Sequence, residues 1–308
     1  GCPWDVPGQT INRFCSSGLQ AISAGANMIM TGQAGLVAAG GMESMSTAVR
    51  DINPDALCKW IQENDPGQYL PMGITAENVA IRFHITREEM DAFAAESHHR
   101  AARAAASGYF DEEIIPVPGV DEAGNTIVFS KDQGIRPDTS IEALAALKPS
   151  FKENGLVTAG QSSQVSDGTS FVILASAEKV KELKAEPIGR FLGFAVAGVD
   201  PSLMGIGPIK AVPKVMKLTG LSIADMDVIE LNEAFAAQAI PCIRELDLDT
   251  AKVNPNGGAI ALGHPTGATG AILSCKALGE LKRKGGKYAL ISMCIGGGMG
   301  AAGIWEKL

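Results

Sequence analysis

Several things are missing from this sequence, and each absence removes a class of function. The six cysteines, Cys2, Cys15, Cys58, Cys242, Cys275 and Cys294, include no CxxC pair and no disulfide-framework spacing. A reducing compartment is therefore expected, without a structural zinc site. Nothing in the sequence resembles a clustered basic face. Residues 46–160 hold 10 Lys+Arg against 18 Asp+Glu and the rest 16 against 16, so the whole formal charge of -8 sits in the middle of the chain. Nucleic-acid binding, which needs a basic face, is excluded. No secretory signal opens the chain, and a start at Gly1 rather than Met suggests a fragment or a processed form.

Charge of either sign is absent from three long runs: Phe14 to Met42 (29 residues), Val253 to Cys275 (23) and Tyr288 to Trp305 (18). By length each could cross a membrane. Gln20, Asn27, Gln33, Asn254, Asn256, His264 and many glycines interrupt them, so no membrane span is expected. A helix or strand covered on every side also loses its charged face, which places these runs at the centre of a layered α/β fold. At 308 residues and 46% hydrophobic content the chain has material for two domains with a substantial core.

Taken in order, Cys15 to Thr31 has the spacing of a central helix, with Leu19, Ile22 and Ala26 on one face, and Gly35 to Gly41 reads as a short buried strand ending in a glycine turn. From about Ser46 to Gly160 the texture is charged and loop-rich, an excursion or lid on the main body. One helix stands out there, Arg87 to Ala106, with Thr86 as N-cap, Glu89 completing a capping box and Gly108 past its end. The apolar run Phe171 to Ala175 predicts a buried strand. A helix over 177–184, a strand over 191–196, a helix over 209–218 ended by Gly220, and a capping box from Ser222 to Asp225 follow. Val228 to Leu231 then reads as a strand delivering Asn232 to the start of a helix over 233–246.

The last sixty residues echo the opening: Asn12, Cys15, Gly32, the strand 36–39 and Gly40-Gly41-Met42 stand against Asn254, Gly257, Gly285-Gly286, the strand 289–293 and Gly297-Gly298-Met299. Two copies of one α/β unit about a pseudo-two-fold axis account for the echo. The domain organisation that follows is a first half of residues 1–45 and 160–185, a loop or lid domain of 46–159 and a second half of 186–308.

Chemistry gathers in the same uncharged runs. Cys15 is set where a helix begins, and there the free N–H groups and the dipole favour a thiolate. A lone cysteine is more often a buried structural residue; two other segments change that reading. His264 stands in the glycine-rich loop Gly257 to Gly270, unlike His84, His98 and His99, which lie in or beside the charged middle helix and suit ordinary surface or core roles. Cys294 ends a strand at the glycine run Gly296 to Gly300, whose N–H groups can face a developing oxyanion. No Gly-Lys-Ser/Thr follows that run, so it is no P-loop. A nucleophilic thiolate, an imidazole and a second thiol are what acyl transfer to and from sulfur requires.

Through NRFCSSGLQA, GGMESMS, MGITAENVA, TAGQSSQVSDG, NEAFAAQ, GGAIALGHPTGATGA and CIGGGMGAAG the whole chain resembles the thiolase family, and within it the degradative 3-ketoacyl-CoA thiolases of fatty acid β-oxidation. The resemblance implies a thiolase-like α/β fold of two pseudo-repeated mixed-sheet halves in an αβαβα arrangement with an inserted loop domain. The first half would be incomplete, since the family's chains begin with a further βαβ portion. It implies CoA and acyl-CoA as substrates, no permanently bound cofactor and no metal, and a homodimer or homotetramer. Cys15 would take the acyl group, His264 its proton, and Cys294 would act on the incoming thiol or the acetyl methyl group. Asn232 would hold a water that forms one oxyanion hole with His264; the N–H groups of Cys15 and Gly296 would form another. Met72, Arg136, Ser163 and Phe235 match positions that line the family's CoA site. Two departures bear on substrate: Gln161 stands where many relatives have Asn, and Pro71 where acetoacetyl-CoA-specific members carry His. The expected activity is thiolysis of 3-ketoacyl-CoA, with acetoacetyl-CoA thiolysis or an inactive lipid- or CoA-binding scaffold as alternatives. A decarboxylating ketoacyl synthase is disfavoured, because Cys294 occupies the place of its second histidine. A bacterial-type cytoplasmic setting is expected, with an organellar matrix as the other possibility.

Overall fold

A computed structural model describes residues 2–48, 54–121 and 123–308. Gly1 and part of the charged stretch that begins near Ser46 thus lie outside the described residues.

The first half opens with a 3-10 turn, Phe14–Ser16, running into helix α1, Ser17–Met30, and strand β1, Leu36–Ser44. Four helices follow, α2 (Met45–Ala48), α3 (Lys59–Asn64), α4 (Met72–Arg82) and α5 (Arg87–Ala106). A hairpin of β2 (Val117–Val120) and β3 (Thr126–Phe129) and the short α6 (Ile141–Ala145) complete the middle of the chain. The chain returns as β4, Asp167–Ala175, which pairs antiparallel with β1 from Leu36↔Ala175 to Ser44↔Asp167. After α7 (Ala177–Leu183) come β5 (Gly189–Gly198), α8 (Gly207–Thr219), β6 (Val228–Leu231), α9 (Ala236–Glu245), α10 (Ala259–Leu262), α11 (Thr266–Lys284), β7 (Tyr288–Ile295) and β8 (Met299–Lys307). The second sheet has the order β5-β8-β7-β6, parallel only between β6 and β7.

Local signals place several boundaries. Thr86 and Glu89 form the full capping box of α5. Gly32, Gly220 and Gly285 take φ of 73°, 72° and 70° just past α1, α8 and α11, a conformation that costs glycine little. Lys282, Arg283 and Lys284 occupy the last turn of α11, where the helix dipole favours cations.

The layers explain the uncharged runs. Helices α1 and α11 lie between the two sheets. Leu19, Ile22, Ala271 and Leu281 share one core with Ile291 and Met293 of β7 and with Ala39 and Leu174 of the first sheet. The opposite face of the second sheet, with Leu290 and Ile304, packs under α8 and α9 beside Val212, Val215 and Cys242. A strand buried on both faces has little room for a charge, and Glu230 of β6, buried among Val228, Ile229 and Leu231, is an exception. No helix among the described residues is long and apolar enough to cross a membrane.

The structure corrects four expectations. Strand β1 has no glycine turn at Gly40-Gly41: it continues to Ser44, and those glycines permit contact, since a Cβ on Gly41 would collide with the Gly267 carbonyl and one on Gly40 with that of Ser170. β1 and β4 are covered on their inner face only, because Phe171 (57% exposed) and Ile173 (66%) point the other way. Helix α9 starts at Ala236, so Asn232 sits in a loop rather than at a helix start. In the internal echo, helices α1 and α11 and their C-terminal glycines correspond, but the glycine pairs do not, since Gly297 (φ 82°) and Gly298 (φ 84°) form a turn while Gly40 and Gly41 are strand. The segment that enters α11 is likewise His264-Pro265, not Asn254 to Gly257.

Replacing Gly41 by Ala is expected to destabilise the protein by about 1–3 kcal/mol through overpacking against α11. The exposed Ala38→Ser on the same strand should stay within about 0.5 kcal/mol. Urea midpoints at unchanged m-value would measure both.

Candidate active site

Cys15 sits in the tight turn that precedes α1. Asn12 Oδ1 accepts from the Phe14 N–H at 2.9 Å, Ser17 Oγ donates to the Phe14 carbonyl at 2.8 Å, and Arg13 N–H donates to Ser17 Oγ at 2.9 Å. Together they hold Phe14 at a φ of 44°, an uncommon conformation for a bulky residue. The turn packs against α11 and β7, which brings the half-buried Cys15 to the end of the strand carrying Cys294. The N–H groups of Gly296 and of Cys15 itself lie at the Cys15 sulfur and draw its pKa down. Burial outweighs them, and the charge of Glu43 adds to it, so the thiol titrates above its ordinary range. The expectation of a thiolate stabilised by the helix dipole is therefore corrected: two N–H donors oppose desolvation and lose. Burial likewise pushes the fully buried Cys294 well up, and the neighbouring Cys15 adds to the effect. Both sulfurs rest as thiols at neutral pH.

His264 is held in one orientation. Gly263 takes a φ of 93° directly beside Ser166, whose Oγ accepts from the His264 N–H at 3.2 Å. Thr269 Oγ1 donates to the Pro265 carbonyl at 3.0 Å, so its contact with His264 Nδ1 at 2.6 Å makes Nδ1 the protonated nitrogen. Nε2 is then bare, 3.2 Å from Asn232 Nδ2. Burial lowers the His264 pKa to about 4, so the ring is a neutral base at physiological pH. Asn232 is fully buried, with its backbone N–H on the Ser292 carbonyl at 2.9 Å, and its Oδ1 has no partner among the described residues. Cys15, Cys294 and Gly296 thus converge at one sulfur pair, and Asn232 and His264 form a second pair at the ends of β6 and α10.

The positions matched to a CoA site divide. Met72 opens α4, its Sδ 3.7 Å from where a Cβ on Gly296 would lie; nothing else is that near, so Gly296 leaves open space beside the sulfurs. Phe235 stacks edge-to-face on Phe151 at 5.8 Å, and Phe151 lies against Gly73, the residue after Met72. Ser163 N–H donates to the Ala234 carbonyl at 2.9 Å. Met72, Ser163 and Phe235 therefore share one wall. The exposed Arg136 is held elsewhere, its backbone N–H donating to His98 Nδ1 of α5 at 3.2 Å. His99 Nε2 donates to the Thr139 carbonyl at 2.8 Å, so these two histidines pin a turn.

Sequence reasoning missed Thr269, Ser166 and Glu43. Glu43 Oε2 accepts from Thr266 Oγ1 at 2.7 Å and from the Gly267 N–H at 3.0 Å, which ties β1 to the N-terminus of α11. The signal available for Thr269 was a polar residue inside an uncharged, buried run. No group of His, Cys, Asp and Glu among the described residues is arranged to hold a metal.

The family profile described as "Thiolase, N-terminal domain" matches residues 1–178, and that described as "Thiolase, C-terminal domain" matches residues 185–307. A 3-ketoacyl-CoA thiolase of Bacillus subtilis is 48% identical over 99% of this chain and 80% of its own length. The dimeric peroxisomal thiolase of Saccharomyces cerevisiae superposes with a TM-score of 0.93 at 44% identity, covering 99% of this chain and 77% of that one. A human mitochondrial 3-ketoacyl-CoA thiolase in complex with CoA gives 0.90 at 43%, covering 100% and 80%. By fold, by two profiles spanning nearly its full length and by near-complete alignment, the chain belongs to the thiolase family.

Proposed function

We propose that this protein is an acyltransferase that cleaves 3-ketoacyl-CoA with CoA, giving acetyl-CoA and a shortened acyl-CoA through an acyl-enzyme on Cys15. The observation that carries the reading is the placement of two N–H groups, those of Cys15 and Gly296, at one half-buried sulfur beside a second thiol, Cys294, while the neutral imidazole of His264 is paired with Asn232.

The chemistry closes on these groups. His264 Nε2 takes the Cys15 proton as Sγ bonds to C3 of the substrate, and the C3 oxygen receives the two N–H donors. The C2–C3 bond then breaks, leaving the acyl group on Cys15 and a carbanion on acetyl-CoA. Cys294, kept as a thiol by burial, supplies the proton to that carbanion. The carbanion's charge spreads onto the thioester oxygen, and Asn232 with protonated His264 is the donor pair for it. CoA next gives its thiol proton to the Cys294 thiolate and attacks the thioester, while His264 returns its proton to Cys15. Every proton is restored and no cofactor enters the balance. The reverse condensation uses the same groups.

The wall of Met72, Ser163 and Phe235 suits the CoA arm, with Arg136 as a separate, exposed contact toward phosphate. We assign residues 1–45 with 160–185, 46–159 and 186–308 to the two halves and the intervening loop domain, and infer a homodimer on the strength of the dimeric yeast relative. A bacterial-type cytoplasmic setting is our reading beside a bacterial relative, with an organellar matrix as the alternative that the peroxisomal and mitochondrial relatives represent.

Cys15→Ala should abolish the acyl-enzyme seen by intact-mass spectrometry after mixing with 3-ketoacyl-CoA. His264→Ala should slow acylation by about two to four orders of magnitude, the usual worth of general acid–base catalysis. An acylation rate within threefold of wild type would remove His264 from this role.

Reactivity toward iodoacetamide tests the resting state. With Cys15 above its ordinary range and His264 near 4, no thiolate–imidazolium pair forms, so labelling of Cys15 should keep rising through pH 7 to 9. A plateau already reached at pH 6 would show a preformed pair and contradict the assigned protonation states.

A further inference from the structure

We propose that Glu233, the residue after Asn232, is a positioning residue that fixes the distance between Asn232 and His264; this rests on the function proposed above. Its side chain is 2% exposed and its two oxygens take donors from three separate elements. Oε2 accepts from Ser97 Oγ of α5 at 2.6 Å and from the Ile260 N–H of α10 at 3.3 Å, and Oε1 accepts from Asn254 Nδ2 at 2.8 Å.

Each of those bonds leads to one side of the pair. Asn254, held at a φ of 44°, brackets the residue before Asn232: its Oδ1 accepts from the Leu231 N–H at 2.9 Å and its Nδ2 donates to the Leu231 carbonyl at 2.8 Å. Asn232 is thus flanked by two residues anchored to the same amide. On the other side, α10 is one turn long and its N-cap is Gly258, which has no side chain to accept the exposed N–H groups. Glu233 accepts one of them, at Ile260, and Ser97 Oγ accepts the Gly258 N–H at 3.1 Å. The carboxylate also fills the space that a Cβ on Gly258 would take. His264 follows this turn after a single glycine. One buried carboxylate therefore joins the strand end that carries Asn232 to the short helix that delivers His264, and α5 closes the triangle.

The function follows from the geometry. Catalytic groups must be held within a fraction of an ångström, and a displacement of about 1 Å remote from the reacting atoms can cost about a hundredfold in rate. Asn232 and His264 come from different parts of the chain and touch only at 3.2 Å through one side-chain contact. Glu233 is the shared acceptor behind both.

The test is Glu233→Gln in the full chain. The amide keeps the shape but turns one oxygen into a donor facing the donors Ser97 and Ile260. We expect kcat for thiolysis to fall by about 10- to 100-fold with KM for CoA within about twofold. The 15N shift of His264 Nε2 should move, because its contact with Asn232 is displaced. Ser97→Ala, which removes one donor and leaves the carboxylate, should give a smaller fall of the same kind, and decides the matter if Glu233→Gln does not fold. An unchanged kcat, an equal rise in KM, or a His264 spectrum identical to wild type would overturn the proposal. Absence of thiolysis by the wild-type protein would instead refute the function, and the His264 shift would still report on Glu233.

Discussion

The site depends on how closely α1 and α11 cross. A Cβ on Gly18 would lie 2.8 Å from the Ala271 nitrogen and 3.1 Å from the Gly267 carbonyl, and one on Gly270 would strike the backbone of Leu19. Only glycine permits two helix backbones to meet at that distance. Both contacts fall within the first turn of α1 and the first two turns of α11, so the segments that enter them are forced together as well. Cys15 leads into α1 and His264 into α11. One packing constraint thus brings the proposed nucleophile and the proposed base to the same end of the helix pair, and β7, packed against α11, carries Cys294.

What the crossing creates is a candidate reaction centre whose two thiols and imidazole carry no resting charge. Cys15 and Cys294 are thiols and His264 is neutral, each because burial disfavours its charged form. Ionic groups near a carbanion and an alkoxide would be strongly felt in so poorly solvated a place, for good or ill. Fixed N–H dipoles from Cys15 and Gly296 meet the developing charge instead, and they need no reorganisation when it appears. The uncharged runs accordingly have two causes that coincide. Strands and helices inside a layered fold seldom carry charges, Glu230 of β6 and Lys276 and Glu280 of α11 being exceptions, and the proposed chemistry is built at their ends.

Much of this was visible in the residues alone, for reasons that can be named. Thr86 and Glu89 fix the start of α5 because a capping box is a contact between near neighbours in sequence. The burial of the first half of α11 and of β7 and β8 could be read from the missing charges. What escaped were features set by distant partners. Phe171 and Ile173 look like core residues until the one-sided cover of β4 is known. Gly40 and Gly41 resemble a turn but answer to the backbones of Ser170 and Gly267. The sign of the Cys15 shift could not be judged from a helix N-terminus alone, because desolvation depends on everything packed around the sulfur. Thr269 and Glu43 act through atoms, a hydroxyl lone pair and a carboxylate oxygen, that no spacing rule singles out.

Glu43 exposes a conflict that the site resolves elsewhere. Its carboxylate holds the N-terminus of α11 through Thr266 and Gly267, an arrangement the helix dipole favours. The same negative charge raises the pKa of Cys15, which opposes nucleophile formation. Removing the acid would ease ionisation of the sulfur but free the first turn of the helix that His264 enters. Burial is the larger obstacle and Glu43 adds to it, so in the proposed reaction Cys15 ionises by proton transfer at the moment of attack rather than in advance. That requirement is met by a base that is neutral, singly oriented and bare at Nε2, which is the state that Thr269 and the Pro265 carbonyl impose on His264. Anchoring and acidity are separated between two residues, and the buried imidazole is what makes the separation workable.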